Sequence, residues 1–486
     1  MKRNSLILSL FLLSCIGCGQ KDTTEFPENG YKLKVNGKSL EVFDCRVSAI
    51  PFNKLYEGVQ RPIEQTEIAG FAYWDTEKYK TPMKIEIISQ REVENVVIRP
   101  ASYGIKHKIK GNRITFVIDK PCNIAVEVND YHHALHLFAN KPETDVPLVN
   151  TPGVHYYGPG VHDVGQVELK SNESVYVAPG AIVYGRFRAV DAENVRIYGR
   201  GIIDGSKLER GTGNLAGFMG CRNVTVESVI LVDPSSWCCA LYGCKGATIS
   251  DIKLVGLWRY NADGIDLSNC SDVVVKDCFV RSFDDALVVK GLKVRPGREN
   301  WNRPVENIVF SNCVLWCDWN VAIEIGAETS APVIKNVSYR NIDVIRATDV
   351  VLDIQHGDCA EISDIVFENI RVEIDDITPR PQLQMYGVLV YDDTPDPTHC
   401  PSLMDIRIGK TMWAQDDQLG SVRNITFKDI SVTSNRMPPS AFKGANEESQ
   451  VWDVTVENLR LNGKHIASAE EAGLKIGDFV NNVQFK

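Results

Sequence analysis

Asn307-Ile308-Val309-Phe310-Ser311-Asn312-Cys313 is a short phrase with a fixed order. A turn-forming residue comes first, apolar residues alternate with others, a second turn-former follows, and an apolar residue closes it. The phrase returns at 223–229, 272–278, 336–342, 364–370, 424–430 and 453–459, with weaker copies starting at Asn194 and Gly246. Steps run mostly from 23 to 35 residues, with one gap of 60 between Asp364 and Asn424 that fits two coils or one coil with an insertion. A β phrase at this period marks a β-solenoid. Leucine-rich repeats are the rival, but their LxxLxL phrase and helical halves are missing. Cysteines fall in equivalent slots. Cys221, Cys244 and Cys270 each precede the first apolar position of a phrase by three residues, and Cys278 and Cys313 close two phrases. Small apolar side chains stacked in register form ladders along a core.

A second set of strands aligns by the same logic. Gly264-Ile265-Asp266-Leu267 falls under Ala286-Leu287-Val288-Val289, Ala322-Ile323-Glu324-Ile325 and Val351-Leu352-Asp353-Ile354. Ile265, Leu287, Ile323 and Leu352 make one inward column; Leu267, Val289, Ile325 and Ile354 make another. The residues between them, Asp266, Val288, Glu324 and Asp353, face outward. In this register Asp263 and Asp285 lie side by side, and Asp284 sits at the bend. Strands about 4.8 Å apart then bring three carboxylates to one end of one outer strip. Clustered carboxylates repel and raise one another's pKa, which is what acid/base chemistry at a glycosidic bond requires. The rival readings are turn chemistry at Asp263-Gly264 with a solvated bend at Asp284-Asp285, and calcium binding, for which no loop motif is present.

Asn261-Ala262-Asp263-Gly264-Ile265-Asp266, Asp284-Asp285-Ala286-Leu287-Val288-Val289-Lys290-Gly291 and Ile325-Gly326-Ala327-Glu328-Thr329-Ser330, set in these repeats, resemble glycoside hydrolase family 28, the polygalacturonase family. The resemblance covers roughly residues 150–465. It implies a right-handed parallel β-helix and an inverting hydrolase. By resemblance Asp284 is the general acid, and Asp263 and Asp285 hold the attacking water. Two departures bear on substrate. The family's Gly-His-Gly is replaced by Trp319-Asn320-Val321-Ala322, and its Arg-Ile-Lys by Asp353-Ile354-Gln355, followed by His356-Gly357. A cationic clamp has become acidic, which costs affinity for a uronate and points to a neutral substrate rather than polygalacturonan. A β-sandwich before such a helix also resembles the dextranases of family 49. Candidate substrate contacts are Asn261, Lys290, Glu324, Asp353, His356, Trp258 and Trp319, with Trp413 in a Pro-rich insertion over 376–420 as a further aromatic. No metal or cofactor is implied. A polysaccharide lyase on the same solenoid and a non-catalytic glycan-binding solenoid are the alternatives.

The flanks set the domains and the address. Residues 26–145 read as a β-sandwich: alternating runs such as Lys84–Ile88 and Ile114–Ile118 are divided by turn signals such as Asn36-Gly37. Capping the next domain is the expected role, with carbohydrate binding and a simple spacer as the alternatives. The helix follows over 150–486 after a Pro/Gly-rich passage. At the N-terminus, Lys2 and Arg3 precede a short apolar run, Leu6 to Leu13, and then Cys15 and Cys18. This reads as a lipoprotein signal (1–18) with lipidation at Cys18 or Cys15, then a polar tether (19–25). The expected protein is exported, lipid-anchored at the bacterial cell envelope, in the periplasm or at the outer membrane, and touches the membrane by that anchor only. A formal net charge of −10 over 486 residues argues against nucleic acid as a partner.

Overall fold

The computed structural model describes residues 26–48, 63, 66–375 and 398–486. The N-terminal part is two five-stranded sheets. One joins Lys38–Leu40, Tyr31–Val35, Met83–Ser89, Arg113–Ile118 and His107–Lys110, all antiparallel. The other joins Phe43–Ser48, Thr66–Asp75, Asp130–Asn140, Cys122–Val128 and Val96–Arg99, with a parallel pair at its centre. Alternation buries Leu33, Ile85 and Ile114 of the first against Trp74, Val126 and Leu137 of the second.

From Val154 onward the chain winds as a parallel β-helix. The repeated phrase is its first strand row. Val224, Ala247, Val273, Ile308, Val337, Ile365, Ile425, Val454 and Val483 pair in succession. The direct pairing of Ile365 with Ile425 shows that the 60-residue gap is one coil with an insertion. The polar ends of the phrase have a physical cause. The opening residue takes a left-handed φ (Asn223 54°, Asp272 59°, Asn307 59°), and so does the second turn-former (Asp277 59°, Asn312 57°, Asn341 54°). Asn and Asp tolerate this conformation. Their side chains also bond up the stack: Asn307 donates to Asp272 (2.9 Å), Asn336 to Asn307 (2.7 Å), Asn312 to Asp277 (3.1 Å) and Asn341 to Asn312 (2.7 Å). Inside, Phe310, Tyr339, Phe367 and Phe427 stack face to face at 4.7, 5.1 and 4.9 Å. The stacked cysteines Cys221, Cys244, Cys270, Cys278 and Cys313 are buried thiols.

A short second row includes Ile230–Val232, Lys253–Val255, Phe279–Ser282 and Val314–Cys317. Its outer face is apolar apart from Lys253 and Arg281, and is covered by the sandwich. Ala69, Phe71, Tyr131 and Phe138 pack coil after coil along Ile202, Ile230, Val255, Phe279, Val314 and Ile345. The sandwich therefore packs along the flank of the helix. Buried ion pairs rivet the joint: Arg99 to Glu127 (2.9 Å) and Glu373 (2.6 Å), and Arg346 to Glu127 (3.0 Å) and Asp375 (3.1 Å). With the second row covered, the third row is left to form the cleft.

Candidate active site

The third row contains Cys239–Tyr242, Ile265–Ser268, Leu287–Gly291, Val321–Thr329, Val350–His356 and Ser402–Ile408. Its register is the one expected. Ile265 pairs Leu287, which pairs Ile323, which pairs Leu352; Leu267, Val289, Ile325 and Ile354 align likewise. All eight are fully buried. Asp266, Val288, Glu324 and Asp353 form the column between them.

The bends entering two adjacent strands carry the aspartates. The Gly264 N–H donates to the Asp285 carbonyl at 2.8 Å, so Asp263 and Asp285 lie on touching coils. Only glycine fits at 264, where a Cβ would meet the Ala286 oxygen at 2.4 Å. Asp284 Oδ1 accepts from Asn320 Nδ2 (2.9 Å) and from the Asp285 N–H (3.1 Å). Asp285 Oδ1 accepts from the Val321 N–H at 3.2 Å, and Asp263 Oδ1 has no partner among the described residues.

These groups face a cleft of about 330 Å³. Its lining holds six carboxylates, Asp263, Asp284, Asp285, Glu324, Glu328 and Asp349, against two cations, Lys290 and Arg407. Both cations are engaged: Lys290 with Glu328 at 3.2 Å, Arg407 with Asp353 at 2.8 Å. Lys290 Nζ also lies 5.2 Å from the centre of the Trp237 ring. Burial pushes Asp263, Asp284 and Asp285 up, and mutual repulsion with Asp266 and Glu324 adds to it. Asn320 and Lys290 oppose the rise at Asp284. Burial likewise lifts Asp353 to about 8 despite Arg407. Lys290 loses by burial but is driven well up by the carboxylates around it. Burial and like charge thus favour the protonated forms across this cluster, the direction a general acid needs.

Asp263, Asp284, Asp285, Asn261, Lys290, Glu324 and Trp319 all line the cleft. Trp319 is nonetheless mostly packed, stacked on Phe283 at 5.3 Å. Three expected contacts are corrected. Asp353 is fully buried beneath Arg407 rather than facing a sugar. His356 is fully buried, its Nδ1 2.8 Å from Thr329 Oγ1. Trp258 is buried, with its Nε1 donating to Asp233 at 2.8 Å, so the indole is packing. Cys15 and Cys18 lie outside the described residues, as does much of the Pro-rich insertion; Trp413, near its end, lines the cleft.

Sequence reading missed Trp237, Glu328, Asp349, Gln355, Arg407 and Met412, which also line it. Two had a signal. Cys239 pairs Ile265, so Trp237 occupies one coil earlier the place of Asp263. Arg407 pairs Gln355 one coil beyond the aligned set, and so returns a cation beside the position where one seemed lost. Glu328 had none, because a bulge between the Val289–Ile325 and Gly291–Thr329 pairs inserts two extra residues.

Sequence comparison bears out the family resemblance. Residues 165–383 match the model of glycosyl hydrolases family 28. The chain is 25% identical over 169 residues to a probable rhamnogalacturonase A of Aspergillus oryzae, covering 35% of this chain and 32% of that one. It is 25% identical over 235 residues to a dextranase of an Arthrobacter species, covering 43% and 34%. The matched stretches thus span about a third of these relatives. In three dimensions the fold is shared with Dex49A from Penicillium minioluteum, at a TM-score of 0.59 and 15% identity over 93% of this chain and 94% of that one. The family 28 match takes in every aspartate of the cleft floor.

Proposed function

We propose that this chain is an inverting glycoside hydrolase that cuts O-glycosidic bonds in a polysaccharide or oligosaccharide. The observation that carries the reading is the placement of Asp263, Asp284 and Asp285 on two touching coils at the floor of an open cleft. Asp284 donates a proton to the leaving oxygen. Its carboxyl is held in place by Asn320, by the Asp285 N–H and by the backbone of Asn261. Asp263 and Asp285 hold a water and take its proton as it attacks the anomeric carbon from the opposite face, so configuration inverts. Asp263 Oδ1, buried and unpartnered, is suited to that water.

The sugar at the point of cleavage is neutral. Six carboxylates outnumber two cations that are already paired, and a uronate there would add like charge. A lyase would need a basic cluster at this place; Arg281, one candidate base, is instead fully buried against Asp318 at 3.1 Å. The test is a screen of purified protein and Asp284→Asn against neutral and acidic glycans, reading reducing ends and unsaturated-ring absorbance. Reducing ends from a neutral glycan without that absorbance, lost in the variant, are expected. Unchanged turnover in Asp284→Asn would sink the mechanism, and release from polygalacturonan alone would sink the neutral sugar.

We also propose that the protein is exported and anchored at the cell envelope by a lipid on Cys18 or Cys15. Incorporation of labelled palmitate should vanish in the Cys15→Ala, Cys18→Ala double variant; retained label would refute the anchor.

A further inference from the structure

A second cavity, of about 510 Å³, opens on the same strand row towards the N-terminus, and its charge is the reverse of the first. Arg188, Lys293, Arg295 and Arg298 line it, and no carboxylate does. Loop 292–304 builds it by folding back over earlier coils. The loop is seated deliberately. A Cβ on Gly220 would come within 2.2 Å of Trp301 Nε1, and one on Gly243 within 2.5 Å of the Trp301 Cβ, so both positions are kept clear for this residue. Trp301 Nε1 donates to Asp191 at 2.9 Å, and the Arg298 guanidinium lies over its ring at 4.6 Å.

Three of the four cations have counter-charges outside the lining. Arg188 meets Glu168 at 2.8 Å, Arg298 meets Asp191 at 2.8 Å, and Lys293 meets Asp416 at 3.4 Å. Arg295 accepts from the Arg298 N–H through its carbonyl at 3.1 Å, while its guanidinium has no hydrogen-bond or ion-pair partner among the described residues. A buried donor also lines the cavity. Asn269 is 3% exposed; its Oδ1 accepts from the Leu292 N–H at 2.7 Å, while its Nδ2 has no partner among the described residues. An unpartnered buried donor beside a free guanidinium suits an anion that accepts hydrogen bonds.

The two cavities are neighbours. Trp237 of the acidic cleft stacks on Tyr242 of the basic one, ring centres 5.8 Å apart and planes within 10°. Tyr242 pairs Ser268, which pairs Lys290, so the two lie two coil steps apart, ~10 Å by strand spacing.

We propose that the basic cavity is a subsite for an anionic group, a carboxylate or a sulfate ester, on a sugar upstream of the bond being cut. The inference rests on the hydrolase reading and deepens it. The glycan presents a neutral unit to the aspartates and a charged unit to Arg295 and Asn269, so the two cavities together read an alternation of charge along the chain.

Affinity electrophoresis tests this without turnover, so a failed hydrolysis assay leaves it untouched. Full-length protein is run through gels holding polygalacturonate, dextran sulfate or dextran. The wild type should be retarded by at least one charged polymer, and which one tells carboxylate from sulfate. Arg295→Glu, an exposed change, should weaken that retardation roughly tenfold, and Arg295→Lys should largely retain it. No retardation by either charged polymer, or equal retardation of Arg295→Glu and wild type, would overturn the subsite.

Discussion

Two regions of the molecule bury several carboxylates each, and they treat them in opposite ways. At the joint between sandwich and helix, Glu127, Glu373 and Asp375 are met by Arg99 and Arg346 at 2.6 to 3.1 Å. In the cleft and beneath it, Asp263 and Asp266 have carboxylate oxygens with no partner among the described residues, and burial drives their pKa well up. Burying an uncompensated charge is costly. A fold tolerates that cost where another demand keeps the group in place. The joint pairs its carboxylates with arginines; the cleft leaves carboxylate oxygens unpaired. Residue type does not separate the two regions, but the completeness of pairing does.

The largest effect should come from the cleft. Asp284→Asn removes the proposed proton donor and should cut kcat by ~10²–10⁴, with thermal stability unchanged or raised. A comparable loss of stability would move Asp284 to the structural side of the comparison. Next comes the joint. Arg346→Ala leaves Glu127 and Asp375 with Arg99 as their remaining cation, so the cost should fall below the ~3–5 kcal/mol of a fully uncompensated buried pair. Urea unfolding should show that loss, while the kcat of the folded fraction stays at the wild-type value. A joint variant that lost activity yet kept its stability would erase the distinction.

The fold was legible because each coil repeats its own chemistry. Asn307 and Asn312 mark bends in the sequence for the same reason that they form bends in the chain: they tolerate a left-handed backbone, and their side chains bond to the coils above and below. The third-row register followed from Ile265, Leu287, Ile323 and Leu352 alone. The cleft was legible as far as that register reached. Glu328 escaped because a bulge breaks the count. Asp353 was misjudged because alternation assigns a face, not what covers it, and Arg407 from the next coil lies over it. Trp258 and His356 were offered as sugar contacts by residue type, but both are buried and pack, Trp258 with its Nε1 on Asp233 and His356 with its Nδ1 on Thr329. The sandwich could be placed beside the helix only through contacts between residues far apart in the chain, Phe138 with Phe279 for one, and no local pattern carries these.

The smallest effect is the most discriminating, because Asp266 lies in the cleft region without lining the cleft. It is fully buried, and neither of its carboxylate oxygens has a partner among the described residues. Burial, opposed by Lys290 and reinforced by Asp284, holds its pKa well above the ordinary carboxylate range. The folded state therefore binds this proton more tightly than the unfolded state. Its contribution to stability is present below pH ~4 and is lost as pH rises through the folded pKa. Asp266→Asn removes the group that must either stay protonated or ionise without a partner. The variant should match the wild type near pH 4 and exceed it at pH 8, by ~1–3 kcal/mol, the scale of one unsatisfied buried group. Denaturant melts at the two pH values measure the difference. Equal stability at pH 8 would mean that Lys290 compensates Asp266 as fully as Arg346 compensates Glu127, and that the cleft is unbalanced only in the groups that line it.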